Sequence, residues 1–130
     1  MAQKILIVDD EPDILQLLEK KLTAIGYSVT KSGNGKEALE MARTQKPDLI
    51  LLDIMMPYMD GPDMVAALKE EPSTENIPVI FLSGIVTKED SQQPQGGITV
   101  AGRKFQVLSK PFNFSDLLIE VKKALAPQPY

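Results

Sequence analysis

Pro47-Asp48-Leu49-Ile50-Leu51-Leu52-Asp53-Ile54-Met55-Met56-Pro57 is the stretch on which the fold turns. Leu49 to Leu52 is an unbroken apolar run, and Asp53 ends it with a charge. The run is too short for a helix and is bounded by two prolines, so it reads as a strand buried on both faces. Open α/β sheets hold their ligand sites outside the carboxyl ends of the strands. A carboxylate delivered there is a candidate reactive group, although Asp53 taken alone reads as well as a turn residue.

Working outward, Lys4 to Val8 is a second buried-strand run, and it ends in Asp9, Asp10 and Glu11. Pro12 suits a first helical turn, where its missing N–H costs nothing. Ile14, Leu15, Leu18, Leu22 and Ile25 then recur at helical spacing up to Gly26, a helix stop. Tyr27 to Lys31 reads as a short strand. Asn34 with Glu37 resembles a capping box for a helix carrying Ala38, Met41 and Ala42. Beyond the Asp53 strand, Asp60-Gly61-Pro62 opens a helix through Met64, Val65 and Leu68 that Pro72 ends. Ile77 to Leu82 predicts a fourth strand delivering Ser83, and Phe105 to Leu108 a fifth delivering Ser109 and Lys110. Asn113 caps a last helix with Phe114, Leu117, Leu118, Val121 and Leu125 on one face. Lys122 and Lys123 lie at its negative end. Strands alternating with helices predict a parallel sheet with helices on both faces.

The segment from Thr87 to Gly97 breaks the pattern. It is polar, and Pro94, Gly96 and Gly97 oppose a helix. Ile98-Thr99-Val100-Ala101, then Gly102-Arg103 and a second run from Lys104, is compatible with a β-hairpin or an extra strand.

Composition narrows the chemistry. The chain has 130 residues, 43% of them hydrophobic, which bounds it to one globular domain. It contains no Cys and no His, so thiolate metal sites, Ser-His triads and the commonest general base are excluded. A net charge of −4 argues against nucleic acid as a partner. No run is apolar enough to span a bilayer and the N-terminus lacks a signal-peptide pattern, so the expectation is a cytoplasmic protein without membrane contact. Carboxylates, hydroxyls and Lys remain, a set suited to hard cations and phosphoryl groups.

If the sheet is parallel, Asp9, Asp10, Asp53, Ser83 and Lys110 share one edge. Each like-charge carboxylate pair at ~5 Å and an effective dielectric of ~20 costs about 3 kcal/mol. Lys110 answers part of that repulsion, and a divalent cation such as Mg²⁺ answers the rest. A phosphoryl group at Asp53 would meet the cation, the Lys110 ammonium and the Ser83 hydroxyl, with Asp53 as nucleophile. Singly, Asp9 and Asp10 read as helix-start acids, Ser83 as a turn hydroxyl and Lys110 as a surface cation. Their joint placement at strand ends sets the chemical reading apart. Lys110-Pro111 is also an X-Pro bond that a cis form would bend back over the strand edge.

These residues resemble the receiver domain of two-component response regulators, over nearly the whole chain. The markers are Ile-Leu-Ile-Val-Asp-Asp-Glu at 5–11, Asn34-Gly35, Asp-Leu-Ile-Leu-Leu-Asp-Ile-Met-Met-Pro at 48–57, Asp60-Gly61, Ser83-Gly84 and Lys110-Pro111-Phe112. The resemblance implies a flavodoxin-like, doubly wound, five-stranded parallel sheet of order 2-1-3-4-5, here with an irregular or degraded fourth helix. It implies a receiver domain over 1–126, a frayed tail over 127–130 and no effector domain within the chain. Asp53 would accept a phosphoryl group from the phosphohistidine of a sensor histidine kinase or phosphotransfer protein, and phosphorylation would change contacts with a downstream protein. The chain would thus catalyse its own aspartyl phosphorylation and dephosphorylation. Asp10, Asp53 and the Met55 carbonyl would ligate Mg²⁺, with Asp9 completing the acidic site. Ser83 and Lys110 would contact the phosphoryl group.

Three features depart from the family pattern. Val107 stands where an aromatic is usual, with Phe105 nearby; Lys110 follows Ser83 by 27 positions, a long interval; and the fourth helix is poorly encoded. Met55 and Ile85 are apolar and would disfavour an attacking water, which predicts a long-lived phosphoryl group. Two other readings stand beside this one. A phosphorylation-independent interaction module would have lost an acidic-site residue or the lysine, and none is lost. A flavodoxin-like nucleotide or FMN enzyme would need a Gly-rich loop after the first strand, where this chain has Asp-Asp-Glu. Gly33-Asn34-Gly35-Lys36 resembles a P-loop fragment, with Glu37 where a hydroxyl is required.

Overall fold

A computed structural model describes residues 2–54, 61–83, 98–100, 102–109 and 113–126, with the backbone alone at 61, 83, 98–100, 103, 104 and 109. The strands are β1 (Lys4–Val8), β2 (Ser28–Ser32), β3 (Leu49–Asp53), β4 (Val79–Ser83), β5 (Ile98–Val100) and β6 (Arg103–Ser109). The helices are α1 (Pro12–Ala24), α2 (Gly35–Gln45), α3 (Gly61–Lys69) and α4 (Phe114–Leu125). Strand order is β2-β1-β3-β4-β6-β5. The five strands from β2 to β6 are parallel, which is the expected 2-1-3-4-5 order. β5 is an addition to that sheet. It pairs antiparallel with β6 in the register Ile98↔Phe105, Thr99↔Lys104 and Val100↔Arg103. The hairpin anticipated as an alternative for 98–104 therefore forms, and the fifth parallel strand is longer than the Phe105–Leu108 core suggested. Gly102 takes a φ of 78° in its turn, a conformation glycine adopts without strain. The expectation of a degraded fourth helix falls on 84–97, outside the described residues, as does the tail at 127–130.

Alternation along the strands builds a core on each face. Ile5, Ile7, Leu49, Leu51, Ile80 and Leu82 pack beneath α1 and α4 through Leu18, Leu22, Leu117 and Val121. Leu6, Val8, Ile50, Leu52, Phe81 and Val107 pack beneath α2 and α3. All five residues of β3 are buried, as its apolar run requires. The fourth strand starts two residues later than expected, because Pro78 has no N–H for a ladder; its carbonyl still accepts from Ile50 N–H at 3.0 Å. Ile25 belongs to neither core. It is the C-cap of α1 and half exposed, while Gly26 beyond it turns the chain at φ 105°. Among the described residues, no helix is long and apolar enough to cross a membrane.

The caps follow the sequence with one correction. Asn34 Oδ1 accepts from Glu37 N–H at 2.7 Å, and Asn113 Oδ1 from Asp116 N–H at 2.8 Å. The return arm of a capping box is replaced: Asn34 N–H donates to Ser32 Oγ at 3.3 Å. Asn34-Gly35 is thus a helix start rather than a phosphate loop. α2 ends on Lys46, a left-handed C-cap with φ 48°. A side chain pays for that geometry, so Lys46→Gly is expected to raise stability by about 0.5–1 kcal/mol, read as a higher urea midpoint at unchanged slope.

Arg43 of α2 and Glu71, just past α3, tie these two helices together. Arg43 Nε donates to both Glu71 carboxylate oxygens, at 2.8 and 3.0 Å. The guanidinium holds the Glu71 carboxyl below its ordinary range, and the carboxylate raises Arg43 in turn. The unfolded chain therefore protonates Glu71 more readily than the folded one. The pair's contribution is full above the ordinary glutamate pKa and is lost as pH falls through the lowered value. Comparing Glu71→Gln with the parent in denaturant melts across pH is expected to show a gap that closes toward acid. Both side chains face solvent, so the gap also shrinks with added salt.

Candidate functional site

The site grows from two strand ends. β3 carries Asp53 out of its buried run, and the side chain is only 5% exposed. β1 ends at Val8, and Asp9 N–H then donates to Ser32 O at 3.1 Å, which extends the ladder with β2 by one bond. Asp9 is fully buried. Its Oδ1 accepts from Glu11 N–H at 2.9 Å, so the carboxylate is fixed where the chain turns into α1. Asp10, between them, is exposed.

The three aspartates converge: one carboxylate oxygen from each lies within 4.8 Å of the others. Three hard oxygen donors, two buried and one open to solvent, suit a divalent cation that keeps part of its water shell, as Mg²⁺ does. The donor set excludes a soft-metal site, since thiolate and imidazole are missing.

Other expected site residues are placed less fully. Ser83 is the last residue of β4, paired in register with Ser109, the last of β6; Asp53 pairs with Leu82. β4 therefore ends beside β3, and β6 beside β4, as a shared edge requires. Met55, Ile85, Lys110 and the Lys110-Pro111 bond lie outside the described residues. Val107 is buried within the core under α2 and α3. Phe105 sits beside it, its ring edge-on to Phe81 at 5.7 Å between centroids.

Sequence reasoning missed Ser32. It is 2% exposed, its carbonyl holds Asp9, and its hydroxyl donates to Asn34 O at 2.9 Å. No local signal marks it, since its carbonyl meets Asp9 only through the β1–β2 register that sets Ser32 opposite Val8.

The response regulator receiver domain model matches residues 5–122. Response regulator PleD of Caulobacter vibrioides is 39% identical over 122 residues, covering 94% of this chain and 26% of that protein. The alkaline phosphatase synthesis transcriptional regulatory protein PhoP of Bacillus subtilis is 34% identical, over 96% of this chain and 49% of its own length. The chain thus spans between a quarter and a half of these relatives. Among solved structures, Vibrio cholerae chemotaxis protein CheY4 matches at a TM-score of 0.81 and 30% identity, covering 96% of this chain and 100% of that one. The receiver domain of the sensor histidine kinase PA1611 from Pseudomonas aeruginosa, with a magnesium ion in its active-site cleft, matches at 0.79 and 27%, covering 96% and 98%. With its parallel 2-1-3-4-5 sheet and its aspartates gathered at the strand ends, this chain belongs to the response regulator receiver domain family of two-component systems.

Proposed function

We propose that the chain is a Mg²⁺-dependent phospho-acceptor whose reactive residue is Asp53. The observation that carries this reading is the convergence of Asp9, Asp10 and Asp53 at the carboxyl ends of β1 and β3. Asp10, Asp53 and the Met55 carbonyl are the ligands, and Asp9 completes the acidic set. A bound cation offsets the mutual repulsion of the carboxylates and the charge on the incoming phosphoryl oxygens.

A carboxylate oxygen of Asp53 attacks the phosphorus of a phosphohistidine on a partner kinase or phosphotransfer protein. A P–O bond forms as the P–N bond breaks; the electron pair stays on the imidazole nitrogen, which takes up a proton. Lys110 neutralises one phosphoryl oxygen and Ser83 donates its hydroxyl to another. Hydrolysis reverses the state: water attacks phosphorus, the acyl P–O bond breaks, and the carboxylate and inorganic phosphate are released. The phosphorylated form presents altered contacts to a downstream protein.

Intact mass after incubation with acetyl phosphate tests this, with and without Mg²⁺, on the parent and on Asp53→Asn. The expected result is a single phosphoryl adduct that requires Mg²⁺ and is lost in the variant. No adduct on the parent, together with no Mg²⁺ binding, would replace this reading by a phosphorylation-independent interaction module.

A further inference from the structure

Lys69 is an unusual lysine. It closes α3, yet its ammonium turns back on the chain and donates to Glu75 O at 2.6 Å and Ile77 O at 2.9 Å. It also lies over the ring of Phe105 in β6, 5.7 Å from the centroid. That ring meets Phe81 of β4 in a T-shaped contact at an interplanar angle of 85°. One half-buried cation thus touches the end of α3, the turn that leads into β4, and an aromatic pair bridging β4 and β6. Phe81 lies two residues before Ser83, and Phe105 four before Ser109, where the two strands end together, β4 next to the Asp53 strand.

We infer that Lys69 and Phe105 form a relay through which the state of the Asp53 site is read at the end of α3 and the 70–78 turn. This rests on the phospho-acceptor reading, which supplies the trigger. Any shift of the β4 and β6 ends must carry Phe81 and Phe105 with it. Edge-to-face rings and a cation over a ring face are directional contacts that change in discrete steps. Val107, on the same strand, is a buried aliphatic residue without such a directional contact, so β6 reports through its neighbour two positions back. Lys69 is a positioning residue here, and it touches no reacting atom.

The test is a heteronuclear NMR comparison with Mg²⁺, with and without acetyl phosphate, on the parent and Lys69→Met, each sample checked by intact mass. Lys69→Met keeps the apolar stem and removes the cation. In the parent, adduct formation is expected to shift the Phe105 ring resonances and the 70–78 amides. In Lys69→Met the adduct forms to the same extent, while the 70–78 amide shifts are lost. Parent protein that carries the adduct with unmoved Phe105 resonances overturns the relay, whatever the variant does. So do 70–78 shifts that survive unchanged in Lys69→Met. Absence of the adduct in the parent overturns the phospho-acceptor reading and, with it, the relay's trigger; the mass spectrum separates that failure from the others.

Discussion

Phe81→Ala is expected to lower the free energy of unfolding by about 3–5 kcal/mol. Phe81 is completely buried and is the largest side chain so enclosed among the described residues. Its strand is central: it pairs with Leu52 on one side and Val107 on the other. Both neighbours are held in register by parallel ladders, so the backbone cannot close over the space that the ring leaves. The lining atoms would lose their dispersion partners outright, and the edge contact to Phe105 would go as well. Urea melts measure the loss as a lower midpoint with the parent's slope. A cost below about 1 kcal/mol would show that the core under α2 and α3 collapses freely, contrary to close packing. Phe81→Leu refills much of the volume and is expected to cost less.

Asp10→Asn is expected to act with opposite signs on the metal-free and metal-loaded protein. Without metal, its carboxylate stands within reach of two others. Like charges at that range repel by about 3 kcal/mol per pair at an intermediate dielectric, and exposure of Asp10 lets water and salt screen most of it. The variant should gain about 1 kcal/mol in a chelated buffer. With Mg²⁺ at a hundred times its dissociation constant, the parent gains about 2.7 kcal/mol by mass action. On the proposed ligand set the variant loses one carboxylate and should gain little. Thermal melts of both proteins, with chelator and with Mg²⁺, give all four numbers. A variant that melts lower in chelator and still responds fully to Mg²⁺ would remove Asp10 from the metal site.

How much of this was legible beforehand differs by element. The β3 run, the Asp9-Asp10 turn, both asparagine caps and the stops at Gly26 and Pro72 each depend on neighbours close in sequence, and each was readable there. The parallel sense of the sheet followed from strand–helix alternation, and its 2-1-3-4-5 order from the family resemblance. Ser32 was not readable as an anchor for Asp9, because that bond exists only once β2 lies beside β1. The Lys69–Phe105–Phe81 chain was equally hidden: its members are far apart in sequence, and a lysine ending a helix ordinarily faces water. The hairpin at 98–104 stood midway. Its β-branched run and Gly102 favoured it, while the same run was equally compatible with an extra strand.

The added strand β5 has a consequence for behaviour in concentrated solution. A parallel sheet that stopped at β6 would offer a seven-residue border along which another chain's backbone could pair. β5 instead occupies the outer side of Arg103, Lys104 and Phe105, and is itself only three residues long. So short a border is a poor template for intermolecular strand addition. Among the described residues, the hairpin therefore divides one seven-residue border into two short ones, three residues along β5 and four from Gln106 to Ser109, and each is a poorer template for self-association.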